Sequence, residues 1–141
     1  MSVVDLKSNV DDDDEGEVVV VERKREKQIK VERSDRGLTT FSLSSIEQST
    51  IRLVVRLDLS RNRLRELPGG MFHVLVGLEV LDVSRNQLRT IPSSIDCVSK
   101  LRELRLLSNK LNQRTFPIEA CGKLKSLQLL DLRFNKKCNN V

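Results

Sequence analysis

From residue 54 onward the apolar positions recur in one arrangement, L-x-x-L-x-L-x-x-N-x-L, with valine at some leucine slots. Val54, Leu57, Leu59, Asn62 and Leu64 form the first copy. Leu78, Leu81, Val83, Asn86 and Leu88 form the second, and Leu101, Leu104, Leu106, Asn109 and Leu111 the third. A fourth keeps Leu127, Leu130, Leu132 and Asn135 but has Lys137 in the last apolar slot. The asparagines are 24, 23 and 26 residues apart (86−62, 109−86, 135−109). Self-similarity at this period predicts a solenoid, whose stacked units share one core because a single unit cannot bury its own apolar face.

Within each copy, two apolar residues spaced by two, such as Leu57 and Leu59, share one face of a short strand, and Arg56, Asp58 and Ser60 face the other way. The asparagine follows where the chain must bend, and its amide can bond local backbone groups. Leu64 and Leu67 then re-enter the core, and Pro68 ends the turn. The return path carries apolar residues spaced by three: Phe72, Leu75 and Leu78; Ile95, Val98 and Leu101; Cys121, Leu124 and Leu127. That spacing predicts a short α or 3-10 helix with one buried stripe.

Leucine, asparagine and proline recurring together at these offsets resemble the leucine-rich repeat family over residues 54–141, and weakly over 38–53. The resemblance implies an α/β solenoid with a parallel β-sheet on the concave side and short helices or 3-10 turns on the convex side. The Leu67-Pro68 and Ile91-Pro92-Ser93-Ser94-Ile95 turns look like the 23-residue intracellular type of Ras-associated scaffold proteins. They do not look like the Gly-x-Ile-Pro turn of plant receptors.

The remaining segments divide the chain. Residues 1–36 hold 8 Lys/Arg against 11 Asp/Glu, a net −3, and the run from Asp11 to Glu15 cannot build a core, so this tail is expected to be largely disordered. Val18 to Val21 has strand propensity, while Gln28 to Arg36 fits a strand or a helix. Residues 37–53 are expected to be a degenerate capping element. There Leu38, Phe41 and Leu43 match the strand slots and Ile46 stands in the asparagine position. An insertion at Gln113-Arg114-Thr115 displaces the next apolar residue to Phe116, as a neutral loop extension or a contact on the rim. The chain ends six residues after Asn135 with nothing resembling a C-terminal cap, which suggests a fragment or a short product of a longer gene.

Charge and cysteine usage narrow the function. Residues 37–141 hold 17 Lys/Arg against 9 Asp/Glu, a net +8, which points to a partner with an acidic surface or to the acidic tail folding back. No apolar run approaches a membrane span and no leader pattern opens the chain. Paired cysteines at the N-terminal end, usual in secreted relatives of the type it resembles, are missing, so a cytoplasmic or nuclear location is expected. Cys97, Cys121 and Cys138 lack metal-ligand spacing. Cys121 reads as a small core residue, and Cys97 as partly exposed. The lone histidine, His73, reads as solvent-facing. No converging catalytic set, phosphate-binding glycine loop, cofactor motif or metal site stands out, so an enzyme is not expected.

The outward positions of the predicted strands stack into columns: Arg56, Val80, Glu103, Leu129; Asp58, Asp82, Arg105, Asp131; Ser60, Ser84, Leu107, Arg133; and Arg61, Arg85, Ser108, Phe134. Arg105 between Asp82 and Asp131 is expected to make a cross-strand ion-pair ladder. The expected function is a protein-interaction scaffold whose concave face holds its partner. Arg56, Arg61, Arg85, Arg105 and Arg133 would be the polar contacts, with Leu107 and Phe134 as apolar anchors. The alternative is the regulatory region of a signalling enzyme (a kinase, phosphatase or ligase) whose catalytic domain lies elsewhere. Nucleic acid is disfavoured: the chain has no Trp or Tyr and only four Phe to stack on bases.

Overall fold

The computed structural model describes residues 3–7, 17–23 and 26–135. Among the described residues, seven strands form one sheet in sequence order. They are β1 (Val3–Lys7), β2 (Glu17–Arg23), β3 (Glu26–Glu32), β4 (Val54–Asp58), β5 (Val80–Asp82), β6 (Glu103–Arg105) and β7 (Leu129–Asp131). The first three strands pair antiparallel. From β3 onward every pairing is parallel, because each crossover returns along the opposite face. The crossovers after β4, β5 and β6 carry α1 (Met71–Val74), a 3-10 helix at Ser93–Cys97 and α2 (Ile118–Gly122) in equivalent places.

The inward leucines behave as their spacing predicts. Leu57, Leu81 and Leu104 stand opposite one another in register, and all are fully buried. Phe72, Leu75, Ile95, Val98, Cys121 and Leu124 close the core from the convex side. Each fully buried leucine contributes roughly 1.5–3 kcal/mol of transfer free energy. In the last described unit Leu127, Leu130 and Leu132 are only partly buried.

The asparagines bind the units together. Each Nδ2 donates to a carbonyl of its own strand end and to the matching carbonyl of the preceding unit. Asn86 reaches Val83 O at 3.0 Å and Leu59 O at 2.9 Å, and Asn109 reaches Leu106 O at 3.1 Å and Val83 O at 3.0 Å. Each Oδ1 accepts a main-chain N–H of the preceding unit, Leu64 to Asn86 and Leu88 to Asn109, both at 3.0 Å. The bend leaves the residue before each asparagine left-handed: Arg61, Arg85, Ser108 and Phe134 have φ of 58°, 58°, 56° and 60°. Side chains on that backbone are uncommon, and a phenylalanine there is held only because the surrounding bonds leave no other path.

Two sequence expectations need correction. The first is the disordered tail of residues 1–36. Strands occupy three stretches of it, since β2 finds partners on both sides and Val20, Ile29 and Val31 reach buried positions. The ambiguous stretch from Gln28 is a strand as far as Glu32. The acidic run from Asp11 to Glu15 lies outside the described residues, as does Cys138.

The second is the register of the degenerate unit. Val31 pairs with Leu57 and Glu32 with Asp58, and the N–H of Arg33 donates to Asp58 O just as that of Leu59 donates to Asp82 O. Arg33 therefore occupies a core slot, fully buried, with Nη2 donating to Ser45 O at 3.1 Å. Asp35 repeats the left-handed residue (φ 53°), and Arg36 stands where the asparagine belongs. Leu38 is equivalent to Leu64, beyond the bend, and is not a strand residue. The interval from Arg36 to Asn62 is 26 residues (62−36), a full unit. The pattern is hidden because an arginine fills an apolar slot and another replaces the asparagine.

Candidate functional site: the concave sheet face and its exit edge

The strand register brings the outward columns together as the sequence implies. Arg56 pairs with Val80, Val80 with Glu103 and Glu103 with Leu129. Asp58, Asp82, Arg105 and Asp131 form the second column. Arg61 N donates to Ser84 O, Arg85 N to Leu107 O and Ser108 N to Arg133 O, which aligns the two columns beyond the strands.

The ion-pair ladder expected in the second column does not form. Arg105 pairs with Glu103 of its own strand at 3.0 Å, and Arg133 with Asp131 through contacts of 2.9 and 2.8 Å. Residues two apart on a strand share a face, so these partners are as near as the cross-strand ones. The aspartates are also occupied. Asp58 Oδ1 accepts from Ser60 N at 2.9 Å, Asp82 Oδ1 from Ser84 N at 3.0 Å and Asp131 Oδ1 from Arg133 N at 3.1 Å. The three aspartates of the column thus end β4, β5 and β7 with an Asx turn. The hydrogen bonds and charge of Arg133 hold the Asp131 carboxyl below its ordinary range, and Asp131 raises Arg133 in return.

The expected contact residues therefore divide. Arg56, Arg61 and Arg85 are exposed and enter no ion pair among the described residues. Arg105 and Arg133 are partly neutralised by neighbours. Leu107 is half-buried, whereas Phe134 is 78% exposed and Leu129 37%. Positive charge thus dominates the N-terminal half of the face and apolar surface the C-terminal end.

Sequence reasoning overlooked the turns that follow the strands. Arg63, Arg65, Arg89 and Lys110 are all exposed there. The signal was available, since each lies beside a buried leucine of the bend, Leu64, Leu88 or Leu111, and so must point away from the core. The insertion is absorbed locally. Asn112 Oδ1 accepts from Arg114 N and Thr115 N at 2.8 and 3.1 Å, and Phe116 is buried.

On the convex side an open cleft of about 680 Å³ is lined by His73, Asp96, Cys97, Arg114, Ile118 and Lys123, among others. Cys97 Sγ lies 3.5 Å from His73 Nδ1, and Lys123 lies 3.7 Å from Asp96. Desolvation and the adjacent Asp96 carboxylate push the Cys97 thiol above its ordinary value, opposite to what a thiolate nucleophile needs. Among the described residues, no group of three or more His, Cys, Asp or Glu could hold a metal ion, and no helix is long and apolar enough to cross a membrane.

These features coincide with what known proteins show. The "Leucine rich repeat" family profile matches residues 52–111. A leucine-rich repeat protein of Leptospira interrogans is similar at 31% identity and a TM-score of 0.61, covering 74% of this chain and 25% of its own. The BIR3–SERK2 complex of Arabidopsis thaliana contains a chain similar at 26% identity and 0.63, with 82% of this chain and 60% of that one covered. The BIR2 ectodomain of Arabidopsis thaliana is similar at 26% and 0.62, with 83% and 61% covered. This chain thus spans between 25% and 61% of the length of those structures. No curated protein sequence matches it. The fold is a leucine-rich repeat solenoid, an architecture that typically serves as a non-catalytic interaction module.

Proposed function

We propose that this chain is a protein-interaction scaffold that holds an acidic protein partner on its concave sheet face. The observation that carries the reading is the column Arg61, Arg85, Ser108, Phe134, which sets two exposed guanidinium groups at one end and a largely exposed aromatic at the other. Arg56, Arg105 and Arg133 supply further polar contacts, and Leu107 and Phe134 the apolar anchors. Arginines and an exposed aromatic on one face are residue types enriched at interface hot spots. The similar chain solved within the BIR3–SERK2 complex supports a protein partner. The Leu67-Pro68 and Ile91-Pro92 turns support the intracellular scaffold type, and with it a cytoplasmic signalling setting.

The test is affinity capture followed by measured binding of the captured protein. Reversing Arg61 and Arg85 to Glu should weaken that binding at least tenfold while thermal melting stays unchanged. Reversing Lys100 and Lys123, away from the concave face, should change it little. Equal losses for both pairs would reduce the interaction to diffuse charge attraction.

A further inference from the structure

The three bends that follow β4, β5 and β6 carry an unbalanced charge. Residues 60–67, 84–91 and 108–112 contain Arg61, Arg63, Arg65, Arg85, Arg89 and Lys110 against a single carboxylate, Glu66. All six cations are exposed, and none forms a side-chain hydrogen bond or ion pair among the described residues. The stacking of the units sets them in rows. Arg63 N donates to Leu38 O, Gln87 N to Leu64 O and Lys110 N to Leu88 O, so Arg63, Gln87 and Lys110 share one row and Arg65 and Arg89 the next. Neighbouring units stand about 4.8 Å apart, which crowds like charges at a cost that the fold does not relieve internally.

We infer that this edge, which adjoins the concave face at Arg61 and Arg85 and extends beyond it through Arg63, Arg65, Arg89 and Lys110, is a second binding surface for an extended peptide rich in Asp and Glu. Three considerations favour that occupant. Five of the six cations are arginines, whose planar fork fits a carboxylate with two parallel hydrogen bonds. The strip crosses three units, about 10 Å, which a few residues of extended peptide span with carboxylates on successive positions. The strip itself contains no aromatic residue, and Phe41, Phe72 and Phe116 are buried, so successive bases of a single-stranded nucleic acid would find no stacking platform there. The bends are also pre-formed. Asn62, Asn86 and Asn109 hold their backbone, so a ligand orders only the arginine side chains.

The experiment measures binding of a fluorescein-labelled deca-glutamate peptide to the full chain by anisotropy. The Arg63→Gln/Arg65→Gln/Arg89→Gln variant should bind at least tenfold more weakly with an unchanged melting curve. The Lys100→Gln/Lys123→Gln/Lys125→Gln variant removes the same charge away from both surfaces and should change binding less than threefold. Raising the salt from 50 to 300 mM should weaken the parent and largely erase the difference between variants. Equal loss in the two variants overturns the inference in favour of diffuse attraction, as does no measurable binding by the parent. An oligouridylate of equal charge that binds more tightly than the peptide, through the same arginines, overturns the choice of occupant. The concave reading can fail independently, because none of Arg63, Arg65 and Arg89 belongs to it.

Discussion

The side-chain amide of Asn62 donates to the main-chain carbonyl of Arg33 at 2.9 Å, across 29 residues of chain. The same amide accepts, through Oδ1, from the N–H groups of Arg36 and Leu38 at 3.0 Å. Alongside the pairing of β3 with β4, this residue ties the degenerate unit to the regular ones, and the same kind of amide connection recurs at the later boundaries. It also keeps the exit edge rigid, since the left-handed arginines sit one residue before the asparagines.

Asn86→Ala removes the bonds to Leu59 O and Val83 O and leaves Leu64 N–H without its acceptor, all in buried surroundings. Buried groups left unpaired cost about 1–3 kcal/mol each, so a loss of about 3 kcal/mol is expected on urea denaturation. Asn135→Ala breaks equivalent bonds in a half-buried unit where water can substitute, and should cost about 1 kcal/mol. Similar losses at the two sites would show that the ladder does not depend on burial.

Gly77→Ala should destabilise the fold although glycine lies outside the repeat pattern. A methyl group there would meet the main-chain oxygen of Arg52 at 2.7 Å and that of Val54 at 3.6 Å. Backbone atoms cannot swing aside as a side-chain tip can, so overpacking of about 1–3 kcal/mol is expected. Gly69→Ala, whose added carbon meets nothing within 4 Å, is the matched control and should melt like the parent. A silent Gly77→Ala would mean that the segment around Arg52 yields easily.

Arg33→Leu restores a standard repeat residue at a fully buried slot. It gives up the bond to Ser45 O together with the arginine's other contacts, but ends the desolvation of a guanidinium. Burying a charged group costs several kcal/mol that a leucine does not incur, so the melting temperature should hold or rise. A fall of several degrees would show that the arginine's bonds outweigh its desolvation.

Burial pushes the Cys121 thiol up to about 11 from an ordinary value of 9.0. A folded pKa above the unfolded one means that this group's contribution is complete below about pH 9 and is lost as pH rises toward 11. Stability measured by denaturant titration should therefore fall across that window, and Cys121→Val should flatten the fall. The chain has no Tyr to obscure the comparison. Iodoacetamide at pH 8 followed by peptide mass spectrometry should label exposed Cys97 well before buried Cys121. Equal labelling would place Cys121 outside the core.

The sequence alone determined the solenoid, its period, the inward leucines and the outward columns. A strand alternates faces and a short helix returns every third or fourth residue, so a local pattern suffices to orient each side chain. Leu57, Leu81 and Leu104 are buried and in register for that reason. The bonding of those columns was not legible. Which carboxylate Arg105 takes depends on Asp82 and Asp131 already holding backbone N–H groups or Arg133, and such competition is settled only when neighbouring strands are in place. The degenerate unit was hidden for a related reason. A buried Arg33 is tolerated where other segments meet it, Ser45 O among them, and β1 to β3 pair with one another and dock on β4. Local pattern records which face a residue occupies, while tertiary contact decides which polar groups satisfy one another, because that choice depends on partners far away in the chain.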